Sequence, residues 1–186
     1  KPSARNVMLV LVNSRRSCTP DCLEQMFGQR PVIFYSNGYE HWIWDDTRYP
    51  PRNVQGFYTR EQLELLIQRR TSRKPLANLP VSTTIAGRTY QQRAVRKVAE
   101  AFEQKERRAL LVMATGSGKT RTVIALSDLL IRANWAKRIL FLADRIALVN
   151  QATNAFKEFL PDVAPVNLVT DKDSEGRVYV STYPTM

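Results

Sequence analysis

The stretch that most constrains this 186-residue chain is Met113-Ala114-Thr115-Gly116-Ser117-Gly118-Lys119-Thr120. It leaves the apolar run Ala109 to Met113 and opens a segment, Lys119 to about Ala133, whose apolar residues keep helical spacing. A glycine-rich turn between a buried strand and a helix is a phosphate-binding loop in its expected context. The glycines let backbone N–H groups close around phosphate oxygens, and the helix N-terminus adds the positive end of its dipole. Thr115, Gly116, Ser117, Gly118, Lys119 and Thr120 are therefore the candidate nucleotide-binding residues. Lys119 is expected to reach the β- and γ-phosphates, and the Thr120 hydroxyl to hold Mg²⁺. In the full G-x-x-x-x-G-K-[ST] spacing the first glycine falls at position 113, where this chain has Met113.

The segments C-terminal to the loop predict the fold class. Strand Arg138 to Leu142, a helix from Ile146 to Phe159, and extended runs Val166 to Val169 and Val178 to Thr182 alternate with the helix after the loop. Continuous apolar strands separated by amphipathic helices predict an α/β fold with a parallel sheet covered on both faces. Upstream, Ala94, Val95, Val98, Ala101 and Phe102 predict a helix from Tyr90.

The N-terminal part reads differently. Val32 to Tyr35 and Tyr39 to Trp44 flank Ser36-Asn37-Gly38, which predicts a β-hairpin. A short helix, Asp21 to Phe27, closes at Gly28. Thr59 and Gln62 form a capping box that opens a helix to about Arg70, with Leu63, Leu66 and Ile67 buried. Thr71 to Ser82 is polar and basic without periodicity, which predicts a linker. The expected organisation is an atypical start (1–20), a small α+β piece (21–70), a linker (71–84) and the α/β unit (85–186).

Charge and composition narrow the function. With 28 Lys+Arg against 17 Asp+Glu the net charge is +11 and the pI about 10.1, which points to a polyanionic partner. No apolar run approaches the ~20 residues that span a bilayer, and the run Val7 to Val12 is too short for a secretory signal, so a cytoplasmic protein is expected. Cys18, Cys22 and the single His41 are too few for a zinc site, and the cysteines are expected as free thiols. A hydrolase also needs a metal-holding carboxylate, usually an Asp-Glu pair ending an apolar strand. Asp144 ends one, but Arg145 follows it and no Asp-Glu dipeptide occurs in the chain. The expectation is a nucleotide cradle without a complete hydrolytic site.

With these motifs in place, the sequence resembles the motor (R) subunit of type I restriction enzymes, a superfamily 2 helicase-like translocase joined to a nuclease. The resemblance runs from about Asp21 to Met186 and is most specific over Pro31 to Asp46, Tyr49-Pro50-Pro51, Gly56-Phe57-Tyr58 and Ala109 to Gln151. It implies that 85–186 is the first part of a RecA-like motor lobe and 21–70 a nuclease-domain remnant. Arg88-Thr89-Tyr90-Gln91 matches the Q motif, by which Gln91 would hydrogen-bond the adenine edge and Tyr90 lie near the base, making ATP the nucleotide. Asp144 to Gln151 resembles motif Ia, whose Arg145 and Gln151 would meet the DNA backbone. Ser181-Thr182 resembles a later DNA-contacting motif. The implied partners are double-stranded DNA and the specificity and methylation subunits of a restriction-modification complex.

The departures matter equally. The family's Asp-Glu box, second RecA-like lobe and arginine fingers are not in this chain, and its nuclease carboxylate cluster and Glu-x-Lys tripeptide are not found before the linker. Glu103-Gln104-Lys105 has that spelling but lies on a predicted helix, where it is expected on a solvated face. Residues 1–20 do not resemble the family, as a truncated or frame-shifted start would produce, and the chain alone is expected to lack turnover. Two other readings stand beside this one: a stand-alone P-loop NTPase or phosphotransferase, and a non-enzymatic basic nucleic-acid-binding module.

Overall fold

The computed structural model describes residues 9–12, 20–45, 47, 49–171 and 174–185. The chain divides into two compact units, Lys1–Ser72 and Arg73–Met186.

In the first unit, β1 (Leu9–Val12), α1 (Pro20–Phe27), β2 (Val32–Ser36), β3 (His41–Trp44) and β4 (Arg52–Val54) precede α2 (Arg60–Ser72). The four strands lie in sequence order, β1 parallel to β2 and the other two pairs antiparallel. Because side chains alternate across a strand, Val32, Phe34 and Ile43 share the face that buries Leu63 of α2, with Leu66 and Ile67 packed alongside. The helix starts as expected: Thr59 N–H donates to Gln62 Oε1 at 2.9 Å, and Gln62 N–H donates to Thr59 Oγ1 at 3.3 Å. The hairpin turn is longer than a two-residue Asn-Gly loop. Ser36 pairs with His41, and Asn37 Oδ1 accepts the N–H groups of both Tyr39 and Glu40, so these two residues close the loop and do not enter the strand.

The second unit contains α3 (Thr89–Glu103), α4 (Lys119–Arg132), β5 (Ile139–Ala143), α5 (Ile146–Phe159), β6 (Pro165–Asn167) and β7 (Val178–Thr182). It is mixed α/β, with a three-stranded parallel sheet in the order β5-β7-β6. Val178 and Val180 of β7, Ile124 and Leu129 of α4, Val149 and Phe156 of α5, and Val95 of α3 form its core. β6 is shorter than the expected run because Asn167 Oδ1 accepts the Val169 N–H and turns the chain.

Three expectations are corrected by the structure. The segment expected as a linker is packed: Thr71 and Ser72 finish α2, and Leu76 and Val81 enter the core of the second unit, followed directly by Ile85 and Ala86. Its polar composition hid this, because its backbone is held from a distance. Arg96 donates to the carbonyls of Leu76 and Leu79, Arg132 to Pro80, and Trp135 Nε1 to Lys74. Glu103 is exposed, as expected, and also accepts the Leu76 and Ala77 N–H groups. Secondly, 109–113 is not part of the sheet. Among the described residues no strand pairs with it, and Leu110 and Val112 are 87% and 89% exposed. A strand is stabilised by its neighbours, and an apolar run alone does not supply one. Leu140, on the face of β5 turned from the core, is likewise exposed, so the sheet is not fully covered on both faces.

Candidate nucleotide-binding site

The loop before α4 turns where the glycines permit it. Gly116 and Gly118 have φ of 78° and 80°, left-handed values at which glycine alone is unstrained. Ser117 N–H and its hydroxyl both donate to the Ala114 carbonyl, the latter at 2.6 Å. Gly118 precedes the first residue of α4, and its carbonyl accepts the Thr122 N–H and hydroxyl. Lys119 Nζ lies 3.2 Å from the carbonyls of both Met113 and Ala114, so its ammonium folds back over the loop that precedes it. Thr115, Gly116 and Lys119 are exposed; Ser117, Gly118 and Thr120 are half-buried. The six loop residues named from the sequence thus occupy one turn and the start of one helix.

Tyr90 and Gln91 lie on the first turn of α3 and reach that same loop. Tyr90 Oη donates to the Ser117 carbonyl at 2.8 Å, and Gln91 Nε2 donates to it at 3.0 Å. Sequence reasoning missed Arg88 as a participant, although its Nη1 donates to Tyr90 Oη at 2.8 Å. An arginine two residues before a tyrosine carries no signal of this by itself.

The proposed DNA-contacting residues divide. In the register of the parallel sheet Ala143 pairs with Thr182 and Leu142 with Ser181, so the ends of β5 and β7 share one edge. Arg145 stands just beyond that edge as the N-cap of α5, highly exposed, 3.8 Å from the exposed Asp144 carboxylate. An ion pair that long and that solvated contributes little. Gln151 is exposed further along α5. Ser181 and Thr182 are buried; Ser181 Oγ donates to the Thr182 carbonyl, and the Thr182 hydroxyl is bonded to that of Thr185. The short helical turn Tyr183–Thr185 follows the strand directly and supplies the Thr185 hydroxyl that meets Thr182.

No group of three or more His, Cys, Asp or Glu side chains placed to hold a metal occurs among the described residues. Cys22 is an exposed free thiol, and Cys18 lies outside the described residues. No described helix is long and apolar enough to cross a membrane.

Comparison with known proteins then places the chain. The family described as Type III restriction enzyme, res subunit, matches residues 84–186, more than half of the chain and the part that carries the loop. The chain belongs to this family. The type I restriction enzyme EcoKI endonuclease subunit of Escherichia coli K12 is 34% identical over 178 residues, covering 84% of this chain and 15% of that subunit. The EcoAI endonuclease subunit of Escherichia coli is 49% identical over 67 residues, covering 36% of this chain and 8% of that subunit. The resemblance to type I restriction R subunits read from the sequence is borne out by these relatives. This res-family chain thus spans a small part of their length. A fragment structure assigned as an HsdR subunit of a type I restriction enzyme from Vibrio vulnificus YJ016 aligns with a TM-score of 0.42 and 24% identity, covering 90% of this chain and 32% of that one.

Proposed function

We propose that this chain is an ATP- and DNA-binding part of a type I restriction R subunit, with 85–186 the first part of a RecA-like motor lobe and 21–70 belonging to a nuclease-type domain. Working with the specificity and methylation subunits, the whole protein would translocate along double-stranded DNA at the expense of ATP and cleave it. The observation that carries this reading is the loop itself: two left-handed glycines, a lysine at its close and a helix opening immediately behind it, inside the family-matched region. Backbone N–H groups at the start of α4, its dipole and the Lys119 ammonium fit a polyphosphate. The Thr120 hydroxyl fits a magnesium ion carried in by that polyphosphate, which supplies charge neutralisation when bound.

Lys119→Ala is expected to weaken Mg·ATP binding by about 1.5–3 kcal/mol, the range for a hydrogen bond to a charged group. Titration of a fluorescent ATP analogue into both proteins measures this, and coincident curves would sink the nucleotide reading.

DNA binding is supported by the +11 charge and by Arg145 at the sheet edge. It is expected to be independent of sequence and steeply salt-dependent. If Arg145 meets one phosphate, Arg145→Ala reduces the slope of log K against log salt by about one unit, equally on unrelated duplexes. Anisotropy across a salt series reads this directly. An unchanged slope would leave Arg145 only its contact with Asp144.

A further inference from the structure

Arg145 stands beyond the C-terminal end of β5, and a row of cations gathers at the other end of that strand. Lys137 and Arg138 precede Ile139, Arg177 precedes Val178 of β7, and all three are exposed. Ile139 N–H donates to the Arg177 carbonyl at 2.8 Å, and Arg177 Nε donates to the Lys137 carbonyl at 3.4 Å. Because Ile139 and Val178 are register partners, Arg138 and Arg177 stand at the heads of neighbouring strands about 4.8 Å apart. Like charges that close repel, and an anion laid along them relieves the repulsion.

Trp135 adds a fourth cation to the row. The Arg73 guanidinium lies over its ring, 4.7 Å from the centroid, and Trp135 Nε1 donates to the Lys74 carbonyl, which fixes 73–74 against this end. Stacking uses the flat face of a guanidinium and leaves its N–H fork for an acceptor. The Arg73 Nε has no hydrogen-bond partner among the described residues. Elsewhere in the second unit Lys97 pairs with Glu100 and Arg132 with Asp128, whereas Arg73, Lys137, Arg138 and Arg177 have no ion pair among the described residues. Of the carboxylates close in the chain, Glu103 is bonded to the Leu76 and Ala77 N–H groups, and the exposed Asp162 and Glu175 pair with none of these cations.

The row is separate from both sites described above. The five residues of β5 set it about 17 Å from the Arg145 end, and the 14 residues of α4 set Trp135 about 21 Å from the phosphate loop. Fixed cations in a line, two of them planar forks, suit a polymer that carries a negative charge every ~1.7 Å of its axis.

We propose that Arg73, Lys137, Arg138 and Arg177 form a second contact for the duplex backbone, at the end of the sheet away from Arg145. The inference rests on the DNA-binding reading above and adds a second surface to it.

The test uses the full 186-residue chain, a mixed-sequence duplex, and anisotropy across a salt series beside thermal melting curves. The triple variant Lys137→Ala, Arg138→Ala, Arg177→Ala is expected to lower the slope of log K against log salt by about 2.7 units, about 0.9 for each phosphate contact. Its loss adds to that of Arg145→Ala. A control with the same change in net charge, Arg60→Ala, Arg93→Ala, Lys97→Ala, is expected to keep the wild-type slope. If the triple variant fails to fold, lysine acetylation of the wild type decides: the duplex is expected to slow modification of Lys137 and not of Lys97. A slope unchanged in the triple variant, a control that loses as much, or equal protection of the two lysines would each overturn the proposal and leave the Arg145 contact standing. A wild type that binds no duplex at low salt would overturn the DNA-binding reading itself, and this inference with it.

Discussion

Phe156→Ala is expected to destabilise the second unit by about 3–5 kcal/mol, the range for emptying an aromatic site in a packed core. The ring has no solvent exposure and meets Phe141 of β5 edge-on, with centroids 5.8 Å apart. It sits on the face of α5 that also buries Val149, Ala152 and Thr153, the face packed on the sheet. Truncation loses the transfer free energy of the ring and leaves a cavity that a helix spanning three strands cannot collapse into. Against a domain stability of about 5–15 kcal/mol, this is a large fraction. Urea denaturation with hydrogen exchange of the α5 amides measures it, and Phe156→Leu is expected to recover more than half of the loss. A change below about 1 kcal/mol would mean that the site repacks, contrary to a close-packed core.

Arg70→Met is expected to cost the first unit about 3–5 kcal/mol, because it strands a buried carboxylate. Arg70 Nη2 lies 2.8 Å from Asp45 Oδ1, both side chains being about nine-tenths buried. The same guanidinium donates to the carbonyls of Arg30 and Pro31, tying the end of α2 to the start of β2. Without it, Asp45 keeps the 2.6 Å bond from the Thr47 hydroxyl, and two carbonyls lose a donor. The double variant Arg70→Met with Asp45→Leu is expected to recover much of the loss, since replacing both members of a buried pair removes the unpaired charge. Chemical denaturation of the two single variants and the double closes the cycle. A double variant as unstable as Arg70→Met alone would show that the carbonyl contacts, and not the carboxylate, carry the cost.

Much of the candidate site is legible in the sequence. A Gly-Ser-Gly-Lys spelling between an apolar run and a helical pattern specifies a turn that few backbones can make, and Gly116 and Gly118 adopt the left-handed values it requires. The helix from Tyr90 is legible from its apolar spacing, though not what its first turn does. Tyr90 and Gln91 stand beside the loop and each donates to the Ser117 carbonyl, bonds that the sequence does not record. The resemblance also sets Ser181 and Thr182 against DNA; in the ligand-free chain both are buried, which their spelling at a strand end does not record.

The helices α2, α4 and α5, the Thr59–Gln62 cap and the phosphate loop were determined by the sequence alone, because each depends on groups within about four residues of one another. The tertiary structure alone decided the order β5-β7-β6, the packing of 73–86 onto the core, the exposure of 109–113 outside the sheet and the use made of Gln91. In each of these the deciding partner is remote. Arg96 holds the carbonyl of Leu76 from 20 residues away, and Gln91 holds that of Ser117 from 26. Hydrogen bonds and burial across such distances depend on which surfaces the fold brings together, and residue spacing along the chain does not record that.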